Sequence, residues 1–192
     1  EDVQGFKRAV EGNPTDEYPN KNHLKDLFNS GNGLQMRHNL SFSGGTEDTR
    51  YYFSAGYLQE NATIKKNKFK RYNIRLNVNS NLSDKFTLDA KIFGNRSRKD
   101  EPAIIFSDGD DVDRVDQVVR AGIYMSSDVG GKRSDGSYDS FKGHPVVWAY
   151  LDSPSFFKET SSYFGENVSL EYDVFESLKL TGSVNYKYDQ SA

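Results

Sequence analysis

The chain has 192 residues and a mass of 21.8 kDa, long enough for one domain, yet a mean hydropathy of -0.79 is polar for a protein that must bury a core. Its 25 basic and 28 acidic residues leave a net charge of -3, too balanced to imply nucleic acid or an anionic membrane surface as partner. With no cysteine, disulfide frameworks, thiolate metal sites and cysteine nucleophiles are excluded, while the redox compartment stays open.

Twelve Tyr and thirteen Phe against one Trp make the chain 14% aromatic, an excess that suits sheets and amphipathic boundaries. No apolar run approaches the roughly 20 residues of a membrane-spanning helix. Glu1 opens no signal peptide, so composition leaves export undecided. A transmembrane barrel would escape the hydropathy test, because half of each strand is polar.

Taken in chain order, residues 1–33 read as a lead-in, an outer loop or a helix-like segment. Strand alternation begins at Leu34, because side chains of an extended chain point to opposite faces in turn. Leu34, Met36, His38, Leu40 and Phe42 share one face; Gln35, Arg37, Asn39, Ser41 and Ser43 share the other. After a tip of turn formers, 44–49, the pattern resumes with Tyr51, Phe53, Ala55 and Tyr57 opposite Tyr52, Ser54, Gly56 and Leu58. In FKRYNIRLNVN, Tyr72, Ile74, Leu76 and Val78 oppose Arg71, Asn73, Arg75, Asn77 and Asn79. Phe86, Leu88, Ala90 and Ile92 then oppose Thr87, Asp89, Lys91, Phe93 and Asn95. These four strands occupy 34–98. A long loop, 99–161, follows, and two more strands fill 162–190. The first has Val168, Leu170, Tyr172 and Val174 on its oily side with Glu166 spoiling the upper end, and the second has Leu178, Leu180, Val184, Tyr186 and Tyr188. The predicted fold is all-β: an antiparallel up-and-down meander of about six strands, with a short helix near 111–124 in the long loop.

The connections separate two apolar environments. A soluble antiparallel sandwich gives the same period-2 signal as a membrane barrel. Here the tips at 44–49, 80–85 and 175–177 are short, and the connections at about 59–68 and 97–161 are long. Short tips therefore fall at one end of the sheet and elaborated loops at the other, the asymmetry of transmembrane barrels. A strand of about 11 residues rising ~3.3 Å each and tilted ~45° spans about 26 Å, near the apolar band of such barrels. The polar face mixes Arg71, Arg75, Asp89, Lys91, Lys179 and Lys187 with Asn, Ser and Thr, as a wet lumen would. These features favour the barrel.

Three linked motifs then carry a resemblance: Ser43, Gly44, Gly45, Thr46 and Glu47; Tyr51, Tyr52, Ser54, Gly56 and Tyr57; and Phe69, Arg71, Tyr72, Asn73, Arg75, Leu76 and Asn77. Their order and spacing resemble the SusC/RagA-type TonB-linked outer-membrane transporters. DGSYDSFKGHPVVWAYLDS also resembles the family's D-G-x-Y followed by N-P-x-A, with His144 in place of the usual Asn. LKDLFNSGNG resembles the family's lead-in without its common Trp. The resemblance covers about residues 24–190. It implies a location in the outer membrane of a Gram-negative bacterium of the Bacteroidetes type, in contact with the lipid bilayer. It also implies uptake of oligosaccharides or peptides, a SusD-like surface lipoprotein as lid, and energy from the TonB complex acting through parts not seen in this chain. Six strands cannot close a 22-stranded cylinder, and lipid cannot satisfy two open sheet edges, so the chain is expected to be a fragment of the barrel. On its own, its apolar face would be covered by a second copy, by the long loop folding back, or by detergent.

Within the long loop, Val112, Val115, Val118, Val119 and Ile123 recur at helical spacing, with Asp110, Asp111 and Asp113 near the start, where the helix dipole favours acids. Val112 and Asp113 occupy positions where an EF-hand loop wants an oxygen ligand and a glycine, so calcium binding by that loop is not expected. Further on, Tyr138, Phe141, Trp148, Tyr150, Phe156 and Phe157 cluster within twenty residues. Such rings either pack the loop or stack on cargo or lid, and Trp148, Tyr150, Tyr138 and Phe157 are the substrate-binding candidates. The three histidines show no metal-type spacing, and no nucleophile-elbow or phosphate-loop pattern occurs. No pair of carboxylates is singled out for glycosidase chemistry. The reading is therefore not an enzyme, with no cofactor, no metal and no nucleic-acid partner. The competing class is a soluble β-sheet binding or adhesion module gripping glycan or protein through its aromatic loop.

Overall fold

The computed structural model describes residues 3–28, 33–102, 114–141 and 144–192. In chain order the elements are α1 (Val3–Val10), α2 (His23–Phe28), β1 (Leu34–Gly45), β2 (Thr49–Asn61), β3 (Lys68–Ser83), β4 (Phe86–Pro102), α3 (Arg114–Tyr124), β5 (Ser140–Phe141), β6 (His144–Pro145), α4 (Val147–Asp152), β7 (Phe156–Phe175) and β8 (Leu178–Ser191). They gather into two units, one built on the sheet and one on the loops.

The sheet unit comprises 35–60, 69–99 and 159–192. Six strands lie in the order β1-β2-β3-β4-β7-β8, each beside its neighbour in sequence once the long loop is skipped. This is the up-and-down meander that the alternation predicts. β4 and β7 are antiparallel: the amide of Asp173 donates to the carbonyl of Lys85, while Gly94 lies against the carbonyl of Tyr163. β7 and β8 pair with Val168 opposite Val184 and Tyr172 opposite Leu180, so oily positions meet oily ones across the ladder. The first tip closes when the Thr46 amide donates to the Thr49 carbonyl at 2.7 Å. Gly45 is required there, since a Cβ would overlap the Thr49 carbonyl oxygen. The strands run from 12 to 20 residues, longer than the roughly 9–11 that a tilted strand needs to cross the hydrocarbon.

The loop unit comprises 1–34, 61–68 and 100–158. Its core is Leu27, Ile64, Val118, Val147 and Leu151, with Val115, Val119, Ala121, Met125, Trp148 and Tyr150 packed around it. Separate stretches of chain thus meet: α2, the β2–β3 connection, α3 and α4. The helical stripe places Val118 at the centre and Val115 and Val119 beside it, but Ile123 is 59% exposed. At about 100° per residue, position 123 lies roughly 140° round from 118, whereas 121, 122 and 125 stay on its side. Ala121, Gly122 and Met125 accordingly continue the buried face, with Gly122 close to Leu27. Val112 and the acidic run Asp110, Asp111 and Asp113 lie outside the described residues. α1 buries Gly5 and Ala9, and the Tyr18 ring occupies the space that a Cβ on Gly5 would need.

One face of the sheet is uncovered. Leu40 is 60% exposed, Ile74 51% and Val184 67%, burial levels that a sandwich core would not tolerate.

Candidate functional site

The oily face of the sheet is zoned along the strands. Near the tight turns, rings meet across strands: Phe42 with Phe53 at 4.9 Å and Phe86 with Tyr172 at 4.6 Å between centroids. Toward the other strand ends a second set forms, His38 with Tyr57 at 6.3 Å, Tyr57 with Tyr72 at 5.0 Å and Phe164 with Tyr186 at 6.4 Å. Between the two sets stand aliphatic side chains, among them Leu40, Ala55, Ile74, Leu88, Val168 and Val184. Eight residues separate Phe164 from Tyr172, which at ~3.3 Å each and ~45° of tilt puts the two ring levels about 19 Å apart. An apolar band edged by aromatic girdles is what a barrel wall presents to lipid. Glu166 fits this zoning, since it lies opposite Tyr186, beside the outer rings, at the level where a carboxylate can reach water.

The opposite face is polar, and on β7 and β8 several of its groups pair with one another, while Lys187 lies over the Tyr163 ring. Lys179 Nζ sits 2.5 Å from Glu171 and 3.3 Å from Asp173, and the Asn167 amide donates to Asn185. On β4, Lys91 pairs with Asp89 at 2.8 Å. Phe93, an aromatic on this face, meets the Tyr163 ring at 5.6 Å and covers Gly165, where a Cβ would come within 2.7 Å of its ring. On β1 to β4, Arg37, Asn39, Tyr57, Leu58, Arg71, Asn73 and Asn95 line a concavity of about 370 Å³.

The loop aromatics take different places. Trp148 and Tyr150 pack against the loop core, the Trp148 ring lying over Gly131. Tyr138 donates its hydroxyl to Asp152 Oδ2 at 2.9 Å, at the C-terminal end of α4. Phe157 lies near the start of β7 and is 37% exposed. The structure therefore brings Tyr138, Trp148 and Tyr150 around α4 and leaves Phe157 beyond it. The alternation does not announce α4, because VVWAYLD is short and uncapped by a side chain. Nor does it announce that Ile64 reaches the loop core.

Asp152 is the electrostatic centre of that region. Lys65 Nζ lies 2.6 Å away and Lys132 Nζ 3.9 Å. The hydrogen bond from Lys65, helped by the one from Tyr138, holds the Asp152 carboxyl below the ordinary range. Lys66, in the left-handed region at φ 67°, donates to the carbonyls of Tyr150 at 3.3 Å and Ser155 at 3.2 Å, and desolvation lowers its pKa. Because the folded pKa of Asp152 is depressed, its stabilisation is present above the unfolded value of about 3.9 and is lost as pH falls through the folded value. Acidifying the detergent-held chain below about pH 4 is thus expected to shift the emission of its one tryptophan. Asp152→Asn should flatten that transition; an unchanged transition would remove Asp152 as its origin.

Among the described residues no group of three or more His, Cys, Asp or Glu could hold a metal ion, and no helix is long and apolar enough to cross a membrane. The features that do emerge, a lipid-type face backed by a polar one along an antiparallel meander, define a segment of an outer-membrane-type β-barrel wall.

Comparison with known proteins agrees. No family model matches the chain. TonB-dependent receptor P3 of Formosa agariphila is 33% identical over 61 residues, 32% of this chain and 6% of the receptor. TonB-dependent receptor P39 of the same organism is 29% identical over 68 residues, 35% of this chain and 7% of that receptor. The fold superposes on the RagAB peptide importer in its closed-closed state with a TM-score of 0.66, at 18% identity, covering 98% of this chain and 22% of that one. A second RagAB peptide transporter structure gives 0.65 at 19% identity, covering 90% of this chain and 19% of that one. At such identities the structural matches show the fold, and the chain spans only a small part of each relative. The matches support the SusC/RagA-type TonB-linked transporter family for this chain, over a fragment of the barrel.

Proposed function

We propose that this chain supplies wall strands and outer loops to a TonB-dependent transporter that imports oligosaccharides or peptides across the outer membrane of a Gram-negative bacterium. A SusD-like lipoprotein would serve as lid, and the TonB complex would drive the cycle through other parts of the protein. Residues 34–98 and 162–190 form the wall, 1–33 the lead-in and 99–161 the outer loop. The observation that carries the reading is the zoned apolar face, whose exposed Leu40, Ile74 and Val184 stand between two levels of aromatic rings. Residues facing a protein core need no such banding, whereas a bilayer of fixed thickness imposes it.

Of the loop aromatics, Trp148 and Tyr150 hold the loop in shape, and Tyr138 and Phe157 are better placed to meet cargo or lid. The relatives' names are those of receptors and transporters, which fits a protein that moves its cargo unchanged.

The test is made in cells. The complete protein is expected to fractionate with the outer membrane, and deleting its gene should abolish uptake of fluorescent oligosaccharides or peptides. Collapse of the proton-motive force should have the same effect. Recovery from the soluble fraction as a cooperatively unfolding monomer would overturn the reading in favour of a soluble binding module.

A further inference from the structure

The basin on the polar face bears on the chemistry of the cargo, an inference that rests on the transport reading. Arg37 on β1 and Arg71 on β3 flank the concavity, whose lining also includes Asn39, Asn73 and Asn95 and, from β2, Tyr57 and the buried Leu58. Over β2 the space a side chain would take is held by asparagine amides, because Gly56 stands there. A Cβ at that position would stand 2.5 Å from Asn73 Oδ1 and 2.9 Å from Asn39 Oδ1. Glycine thus lets the amides of two strands converge over the strand between them.

Paired and unpaired cations both occur on this face, Arg75 and Lys187 also lacking a carboxylate partner among the described residues. Lys179 is matched by Glu171 and Asp173, and Lys91 by Asp89. Arg37 and Arg71 form no ion pair with a carboxylate among the described residues. Two guanidiniums lining one concavity are well suited to an incoming anion, and their planar forks match a carboxylate in bidentate geometry. Each Asn amide adds both a donor and an acceptor, the pairing that vicinal hydroxyls satisfy. The volume, about 370 Å³, falls in the range of small-ligand sites.

We propose that this basin binds a uronate residue of an acidic oligosaccharide in transit. Arg37 and Arg71 take the carboxylate, and Asn39, Asn73 and Asn95 take the ring hydroxyls. A peptide could offer the carboxylate but has few hydroxyls to occupy three amides.

The experiment uses the complete transporter in lipid vesicles, titrated calorimetrically with trigalacturonate, its uncharged methyl ester and triaspartate. Wild type is expected to prefer the acid over the ester, with affinity falling as salt rises. In the Arg37→Gln, Arg71→Gln double variant the acid should lose at least about tenfold in affinity while the ester is unmoved. Arg37→Lys with Arg71→Lys should retain part of the preference, and Gly56→Val should weaken acid and ester together by displacing the Asn39 and Asn73 amides. Equal wild-type binding of acid and ester, or an equal loss of both in the double variant, would overturn the proposal. So would triaspartate binding as tightly as trigalacturonate through the same arginines. Failure of the complete protein to insert into vesicles would sink the transport reading itself, and the proposal with it.

Discussion

Val184→Arg is expected to destabilise the folded wall by about 2–4 kcal/mol, the penalty for arginine on the lipid face at mid-depth. Val184 pairs with Val168, four residues from Phe164 on one side and from Tyr172 on the other, which places the pair midway between the ring levels. Its neighbour Ser183 pairs with Ser169 on the polar face, and Ser183→Arg should change stability by no more than about 0.5 kcal/mol. Tyr186→Arg, at the outer ring level, should fall in between, near 0–1 kcal/mol, because a guanidinium there reaches the headgroups. Urea unfolding of the complete transporter in vesicles measures all three. The depth dependence is the diagnostic, since a soluble sheet could penalise Val184→Arg but has no reason to spare Tyr186→Arg. Equal penalties at the two positions would argue against a lipid-facing wall.

Most of the sheet was legible because alternation is a local property: each of the six strands carries its own period of two, and the register of β7 on β8 aligns the oily positions that the sequence marks. The girdles were harder to see. Tyr57 and Tyr72 are 15 positions apart in sequence, and only strand pairing brings their rings to 5.0 Å. Phe93 and Glu166 each look like an error in the pattern. Phe93 is explained by Gly165 on the neighbouring strand and Glu166 by its level on the wall, and neither fact is written in the adjacent residues. The basin shows the same limit, since Asn39 and Asn73 are individually ordinary polar-face residues until Gly56 lets them converge. In the loop, helical periodicity found Val118, but Ile64 sits in a short connection and Leu151 in the six-residue α4, and the burial of both depends on what meets them.

That loop core carries the second large effect. Leu151→Ala is expected to remove about 2–5 kcal/mol from the stability of the loop unit, the range for deleting a fully buried leucine side chain. Leu151 is 0% exposed, and the core around it joins α2, α3, α4 and the β2–β3 connection through Leu27, Val118, Val147 and Ile64. A core drawn from so few residues has little with which to refill a cavity. The loss should therefore be cooperative: hydrogen exchange in the complete transporter should accelerate together over 23–28, 61–68 and 114–124, while β7 and β8 keep their protection as a separate unit. Ile123→Ala is the matched control. It removes a comparable side chain from the same helix at a position 59% exposed, and should shift stability by no more than about 0.5 kcal/mol. If exchange after Leu151→Ala rose only within α4, the three connections would not share one core, and the outer loops would have to be treated as independently mobile pieces instead of a single platform for cargo or lid.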